Sequence, residues 1–183
     1  MAELSQHNTE EALSRFAVNV IKAARSNLTR KDKNVSSALY KSFEKKVHVG
    51  PNSFELEIAY AFYGDFQDKG VQGFTDNRRA PDSPFKMGSG KSSGGGKLYP
   101  AIFKWVKDRG IQFNDRSTGR FMTHEQTAHL VAASVWHKGI KATRFITNPF
   151  NKAFQRLPGQ LVEAFALDVE GFLEDTLNNN IQP

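Results

Sequence analysis

The sequence contains no cysteine. That absence excludes disulfide frameworks, zinc sites with cysteine ligands, iron–sulfur clusters and thiol nucleophiles. Long apolar runs are also missing, so we expect no helix that spans a bilayer. The first residues, MAELSQHNTEEAL, lack the basic and apolar regions of a secretion signal. We therefore expect a protein that stays inside the cell that makes it, or in a particle assembled there.

The amount of apolar sequence is sufficient for a core. Apolar residues make up 39% of the chain and include 15 phenylalanines, which is too many for a disordered chain. A length of 183 residues leaves room for one globular domain of ordinary size. We therefore expect a single domain over residues 1–183.

The positive charge is concentrated in one part of the sequence. The formal net charge is +6, and the stretch from Arg78 to Arg109 alone carries it, because eight basic residues there face only Asp82 and Asp108. The basic residues are Arg78, Arg79, Lys86, Lys91, Lys97, Lys104, Lys107 and Arg109. The chain from Phe150 onward is acidic, with two basic residues against five carboxylates.

Two segments in the first third of the sequence have clear periodicity. Apolar residues at helical spacing predict an amphipathic helix, which Asn8 or Thr9 caps and the polar residues 29–34 end. Its stripe consists of Leu13, Phe16, Ala17, Val20, Ile21 and Ala24. Residues 43–49 and 53–60 flank Gly-Pro-Asn and predict a β-hairpin with one solvent-exposed face. Its apolar face consists of Phe54, Leu56, Ile58 and Tyr60.

Residues 61–97 are rich in glycine and other turn-forming residues. The first part, residues 61–74, has too many of them for a helix and predicts the end of a strand followed by a shaped loop. The second part, residues 75–97, is dense in Gly, Ser, Pro and basic residues and predicts a long flexible basic loop. A loop of this length is usually either functional or disordered, and the sequence leaves that choice open.

Two helices are predicted in the following segment. Pro100 begins a short helix that Gly110 ends, and its inward residues are Ile102, Trp105 and Val106. Thr123 and Gln126 have the spacing of a capping box at the start of a second helix, which ends at Gly139. The inward stripe of that helix consists of Ala128, Val131, Ala132 and Val135.

A C-terminal helical run is predicted over residues 150–183. Residues 140–146 precede it as a short strand or an extended link, Asn148-Pro149 begins a helix, and Pro158-Gly159 breaks or bends it. The final apolar stripe consists of Leu161, Phe165, Val169, Phe172 and Leu173. We therefore predict an α+β fold: a small antiparallel sheet, made of the hairpin and one or two further strands, packed by an N-terminal helix and C-terminal helices.

None of the motifs that resemble catalytic or metal sites has the context it needs. The glycine-rich sequence from Gly88 to Ser92 ends like a phosphate-binding loop, but Phe85 stands where the first glycine belongs. His124 and His129 are five residues apart, about 140° around a helix, so they cannot bind one metal ion together. Asp65 and Asp68 fit a turn cap or an ion pair with Lys69 better than acid–base catalysis. We expect no enzyme activity, no metal and no cofactor.

The basic loop has two interpretations. Basic residues on a Gly/Ser backbone bind phosphates without sequence specificity, and Phe74 and Phe85 are candidates for stacking on bases. The same loop also fits an acidic protein partner, because charge alone selects neither. A non-specific nucleic-acid-binding protein that uses residues 78–109 is therefore the alternative to the function considered next.

The stretch YAFYGDFQDKGVQG, residues 60–73, resembles the head-to-tail joining and tail-completion (neck) proteins of long-tailed bacteriophages. The order of elements around it is also similar: an amphipathic N-terminal helix, a hairpin, an Ile-x-x-Trp-Val helix, an Ala-rich helix, and GIKATRFITNPF at residues 139–150. The residues that match this pattern are Tyr60, Tyr63, Gly64, Phe66, Asp68, Gly70, Gly139, Phe145, Pro149 and Phe150.

The resemblance implies a structural protein of the virion, assembled in the host cytoplasm. It implies a ring of identical subunits, six or twelve in number, around the channel through which DNA leaves, with portal, adaptor or tail proteins as neighbours. It brings no catalytic residue, no cofactor and no membrane contact. The residues expected to contact neighbouring subunits or passing DNA are Arg78, Arg79, Phe85, Lys86, Lys91 and Lys97.

Overall fold

The computed structural model describes residues 6–30, 37–50, 53–88 and 98–180. The predicted α+β fold is confirmed, with seven helices and two small antiparallel sheets among these residues. In chain order the elements are α1 (His7–Arg30), α2 (Ala38–Lys41), β1 (Glu44–Gly50), β2 (Ser53–Ala59), α3 (Gly64–Asp68), β3 (Val71–Gln72), α4 (Leu98–Asp108), α5 (His124–Lys138), β4 (Gly139–Ile140), α6 (Thr147–Phe154) and α7 (Leu157–Asn180).

The contacts divide the chain into two compact units. Unit 1 consists of Met1–Phe62 and Phe145–Pro183, and unit 2 consists of Tyr63–Arg144. Unit 1 is therefore built from two separate segments of the chain. The single domain expected over residues 1–183 stays a prediction. Within the described ranges, no helix combines the length and hydropathy needed to cross a membrane.

Unit 1 has its core between α1 and the hairpin. α1 buries the predicted stripe from Leu13 to Ala24 and also Leu28, so the helix itself is confirmed. The predicted cap is wrong, because the helix begins at His7 and both Asn8 and Thr9 lie within its first turn. β1 and β2 pair antiparallel from Glu44 opposite Ala59 to Gly50 opposite Ser53, as the alternation predicted. The inner residues Leu56 and Ile58 pack against the core, because alternate side chains of a strand point to the same face.

The C-terminal helices of unit 1 differ from the prediction in two respects. The break lies at residues 155–156, and Pro158 stands in the first turn of α7, where a missing N–H costs nothing. The predicted inward stripe is also wrong at Phe165 and Leu173, which are exposed. The side of α7 that faces unit 1 instead carries Leu157, Leu161, Ala164 and Asp168.

Unit 2 contains a short helix that the sequence pattern did not indicate. Residues 61–74 were expected to contain no helix, but Gly64–Asp68 form α3. A single turn needs few favourable residues, and the glycines here stand at its first residue and after its last, where they do not break it. β3 then pairs antiparallel with β4, with Val71 opposite Ile140.

The two longer helices of unit 2 begin and end close to the predicted positions. α4 buries Val106 completely, but Trp105 is exposed rather than inward-facing. Gly110 follows α4 with a φ of 61°, which fits its predicted C-cap position. The capping box at α5 is confirmed, because the Gln126 backbone N–H donates to Thr123 Oγ1 and the Thr123 N–H donates to Gln126 Oε1.

Candidate assembly surfaces

We call the ten residues that match the neck-protein pattern the phage-like motif, and they are divided between the two units. Tyr60, Phe145, Pro149 and Phe150 belong to unit 1, and the other six belong to unit 2. Phe145 is fully buried, and its ring lies 6.2 Å from those of Phe43 and Tyr60. Phe150 packs on Phe16 with ring centroids 5.6 Å apart. Phe145 therefore lies in the core of unit 1 and Tyr60 packs against it, whereas Phe150 is 37% exposed.

Two motif glycines shape the small sheet of unit 2. Gly70 and Gly139 both have a φ of 74°, which favours glycine. A Cβ on Gly70 would lie 2.6 Å from the Ala142 backbone nitrogen, and one on Gly139 would overlap the carbonyl oxygen of Val71. These glycines allow β3 and β4 to pair closely, so their role is in the fold.

Residues 75–88 follow a hydrogen-bonded path beside this sheet. Gln72 donates to the Phe85 carbonyl at 2.8 Å and accepts from the Met87 N–H at 2.8 Å. Ser83 Oγ donates to the Gly70 carbonyl at 2.7 Å, and Ser83 is buried. Lys91 and Lys97, two of the predicted contact residues, and most of the phosphate-loop-like sequence lie outside the described residues. The flexibility expected over residues 75–97 stays a prediction.

The two arginines of this segment have partners within unit 2. The Arg78 guanidinium binds the Asp76 carboxylate, with the shortest contact at 2.8 Å. The hydrogen bonds from the Arg78 side chain and backbone lower the pKa of Asp76 to about 2. The Arg79 guanidinium donates to the Gly139 carbonyl at 3.3 Å, and the Arg79 backbone carbonyl accepts from the Ala142 N–H. Arg79 therefore links the segment to β4, whereas Arg78 pairs locally with Asp76, and both arginines are exposed, as Lys86 is.

The aromatic rings considered for base stacking already pack on other rings. Phe85 lies edge-to-face on Phe66 at 4.6 Å, and Phe74 is stacked on Trp136 at 4.3 Å. The Lys69 Nζ lies 5.9 Å from the centre of the Phe85 ring. Phe85 is thus placed among residues of the phage-like motif, where it packs against α3.

The net charge differs strongly between the two units. Unit 2 contains 14 basic and 7 acidic residues, a net charge of +7, and unit 1 contains 11 and 12, a net charge of −1. Residues 78–109 account for +6 of the charge of unit 2, and the rest of the unit adds only +1, from six basic and five acidic residues. Unit 2 is the part of the chain that attracts polyanions most strongly.

α7 carries a second apolar stripe, which sequence reasoning missed. Its residues follow the three- and four-residue spacing of a helix–helix seam: Val162, Ala166, Val169, Leu173 and Leu177. Val162, Leu173 and Leu177 are 70%, 53% and 61% exposed. By 100° per residue this stripe lies roughly 150° around the helix from the buried one. The sequence signal was present, but the predicted stripe mixed residues from both sides of the helix.

Carboxylates border this exposed stripe. Glu163, Glu170 and Glu174 lie along one side of it and are exposed. From Leu157 to the last residue the chain has five acidic residues and no basic residue. The solvent-facing side of α7 is therefore both apolar and negatively charged, which suits a basic partner surface.

A basic groove lies on unit 1, between the C-terminal half of α1 and the start of the hairpin. Its volume is about 790 Å³, and its apolar and aromatic lining residues are Val18, Ile21, Tyr40 and Phe43. Its basic residues are Lys22, Arg25, Arg30 and Lys45, and none of the described lining residues is acidic. The helical spacing of Val18, Lys22, Arg25 and Thr29 places these residues on one face of α1, which is a signal visible in the sequence.

Arg25 is fixed in the wall of this groove. Its Nε donates to the Tyr40 carbonyl at 2.9 Å, and its guanidinium lies 5.1 Å from the centre of the Tyr40 ring. The cation–π contact and the hydrogen bond to a backbone carbonyl hold the guanidinium, and no acidic residue is among its described partners. The groove therefore has a positive charge whose position is held by two contacts with Tyr40.

A buried carboxylate joins the two long helices of unit 1. Asp168 on α7 is 4% exposed and accepts hydrogen bonds from Asn8 and Thr9, in the first turn of α1. The Thr9 hydroxyl donates to it at 2.7 Å and the Asn8 side-chain amide at 2.9 Å. Burial raises the pKa of Asp168, but these hydrogen bonds outweigh burial, so the pKa is lowered overall.

The other candidates for chemistry have structural partners. Asp65 and Lys69 form an ion pair at 3.8 Å, one of the two roles predicted for Asp65. His129 is stacked on Tyr99 at 4.3 Å. Across the described residues, no three His, Asp or Glu side chains are grouped so that they could hold a metal ion.

Comparison of the chain with known protein families, curated proteins and solved structures gives no match.

Proposed function

We propose that this chain is a structural protein of a phage virion, a ring-forming subunit of the head-to-tail connector or tail-completion type. The observation that carries the proposal is the exposed apolar stripe of α7. An isolated globular protein rarely exposes a long helical seam, because contiguous apolar surface favours association. In a ring, such an apolar seam would be buried against a neighbouring subunit.

Two further observations support the proposal. The first is the resemblance of residues 60–73 and 139–150 to neck proteins. Within these two stretches, Gly70, Gly139 and Phe145 determine the local fold of this chain. The second is the charge of unit 2, which at +7 suits a surface beside a DNA channel. Electrostatic contact with phosphates needs no base recognition, so DNA of any sequence passes such a surface.

The proposal is tested by the location and the assembly state of the chain. We expect electron microscopy of virions that carry a labelled chain to place the label between head and tail. We also expect light scattering after size exclusion to give the mass of a ring. Leu173→Glu with Leu177→Glu should abolish the ring without unfolding the helix, since both side chains are exposed.

Leu130→Glu is the matched control, because Leu130 is equally exposed but lies on α5 of unit 2. We expect this variant to assemble normally. A chain that is monomeric at every concentration and is absent from virions contradicts the proposal.

A second candidate function is non-specific nucleic-acid binding by unit 2, and its net charge of +7 is the observation that favours it. Arg78 and Arg79 are held within unit 2, so lysines test this function more cleanly. We expect substitution of Lys86, Lys104 and Lys107 by Gln to weaken DNA binding and to flatten its salt dependence by about one unit of slope for each lysine–phosphate pair removed. Lys46→Gln and Lys152→Gln, in unit 1, are the matched controls.

A further inference from the structure

The second half of α7 extends past the end of its partner helix. Asp168 lies beside Asn8 and Thr9, while Leu157 belongs to the core cluster with Val20 and Leu28, so α1 and α7 run antiparallel. α1 begins at His7, so residues after Asp168 continue beyond its first turn. We call residues 169–178 the α7 arm. Leu173 and Leu177 are its large exposed apolar residues.

The basic groove lies toward the other end of α1. By the 1.5 Å rise per residue, Lys22 lies about 21 Å along α1 from Asn8, and Leu177 lies about 14 Å from Asp168 in the opposite direction. The α7 arm and the groove of one chain are therefore about 35 Å apart along the helix axis. One chain cannot place its own arm in its own groove.

The arm and the groove have complementary chemistry. The arm presents Leu173 and Leu177 together with three carboxylates, Glu170, Glu174 and Asp175, and it has no basic residue. The groove is lined by four apolar or aromatic residues and four basic residues, and no described lining residue is acidic. Apolar anchors bordered by opposite charges on the two partners are the features that fix both affinity and register at an interface.

We propose that the groove of each subunit receives the α7 arm of a neighbouring copy of this chain. This inference rests on the proposed ring-forming function and names the surfaces that would join the subunits. The contact is heterologous, since two different patches meet, so each subunit offers one arm and one groove. Such contacts continue from subunit to subunit until the rotation closes a ring.

The absence of cysteine allows a direct test by disulfide crosslinking. A chain with Lys22→Cys and Leu177→Cys should form a ladder of linked subunits under mild oxidation, both as the purified ring and inside assembled particles. A disulfide requires Cα atoms within about 7 Å, so the separation of about 35 Å within one chain prevents an internal link. Each single-cysteine variant should give little crosslinking.

Charge reversal tests the same contact without new covalent bonds. Glu170→Lys with Glu174→Lys should abolish ring assembly, and Lys22→Glu with Lys45→Glu should do the same. The chain that carries all four substitutions should assemble again, at least tenfold better than either double variant. Glu55→Lys with Glu57→Lys, on the exposed face of the hairpin, is the control that should leave assembly unchanged.

The outcomes separate this inference from the proposed function. If the unmodified chain forms rings and enters virions but the chain with Lys22→Cys and Leu177→Cys gives no ladder, the arm–groove contact is overturned and the proposed function stands. If Leu177→Cys alone gives abundant dimers, α7 pairs with α7, and the inference is overturned in favour of an isologous contact. If the unmodified chain forms no ring and is absent from virions, both proposals fall.

Discussion

Replacement of Asp168 tests how unit 1 is held together. Its carboxylate accepts the backbone N–H groups of Asn8 and Thr9, which no α1 residue satisfies within the helix, and also the fully buried Thr9 hydroxyl. Loss of an N-terminal cap costs about 1 kcal/mol, and an unsatisfied buried hydroxyl costs about 2 kcal/mol. We therefore expect Asp168→Ala to lower the free energy of unfolding by about 3 kcal/mol, or the Tm by roughly 6–12 °C.

The pH dependence of this effect has a definite sign. The pKa of Asp168 in the folded chain lies below the unfolded value of 3.8. The stabilisation is therefore complete above pH 3.8 and is lost as the pH falls through the lower, folded-state pKa. We expect the difference in unfolding free energy between the unmodified chain and Asp168→Asn to be largest near neutral pH. It should shrink in strong acid, where both chains carry a neutral group.

Two spectroscopic signals separate the response of the two units. Both tryptophans, Trp105 and Trp136, belong to unit 2, so fluorescence reports unit 2, while far-UV circular dichroism includes α1 and α7. Denaturant unfolding followed by circular dichroism should show the loss of stability in Asp168→Ala. Glu170→Gln, on the same helix, is the control and should change the free energy of unfolding by less than about 0.5 kcal/mol. An Asp168→Ala cost below about 1 kcal/mol, or one that is the same in acid and at neutral pH, refutes the assigned role of the carboxylate.

Further predictions concern unit 2 and the core of unit 1. Gly139→Ala should lower the free energy of unfolding by at least about 3 kcal/mol, because its φ is strained for alanine and the new Cβ overlaps Val71. The change should shift the unfolding transition followed by tryptophan fluorescence. Gly119→Ala, which has open space around it, is the control and should cost only about 1 kcal/mol. Thr123→Ala should cost about 1 kcal/mol in the same assay through loss of the capping box at α5, and an unchanged midpoint contradicts that role. Phe145→Ala should cost about 4 kcal/mol by circular dichroism, since the ring is completely buried.

The elements that the sequence predicted correctly depend on neighbours close in the chain. The α1 stripe, the alternation in β2 and the capping box at Thr123 are patterns of local spacing, and each led to the observed element. α3 was missed because a five-residue helix has no periodicity to detect. Asp168 was missed because its partners Asn8 and Thr9 lie about 160 residues away, and no local pattern indicates a pairing at that distance.

The candidate surfaces were predictable only in part. The concentration of positive charge was visible, but the partners of Arg78 and Arg79 depend on the path of the chain around β3 and β4. The prediction for α7 joined Phe165 and Leu173 into one stripe because it treated every apolar residue as inward-facing. When a helix has two apolar sides, its periodicity does not indicate which side packs against α1, because that choice depends on tertiary packing.

The division of unit 1 into two chain segments has a consequence for synthesis. Phe43 leaves the ribosome early, but the core residues that complete its cluster, Phe145, Ile146 and Leu157, follow about a hundred residues later. At roughly 5–20 residues per second, α1 and the hairpin remain for several seconds with their apolar side uncovered. A chain that stops within unit 2 never covers it and never receives the Asp168 cap. Unit 1 can therefore be completed only after α7 has been translated. A prematurely terminated chain lacks both the complete core of unit 1 and the α7 arm that would bind a neighbour.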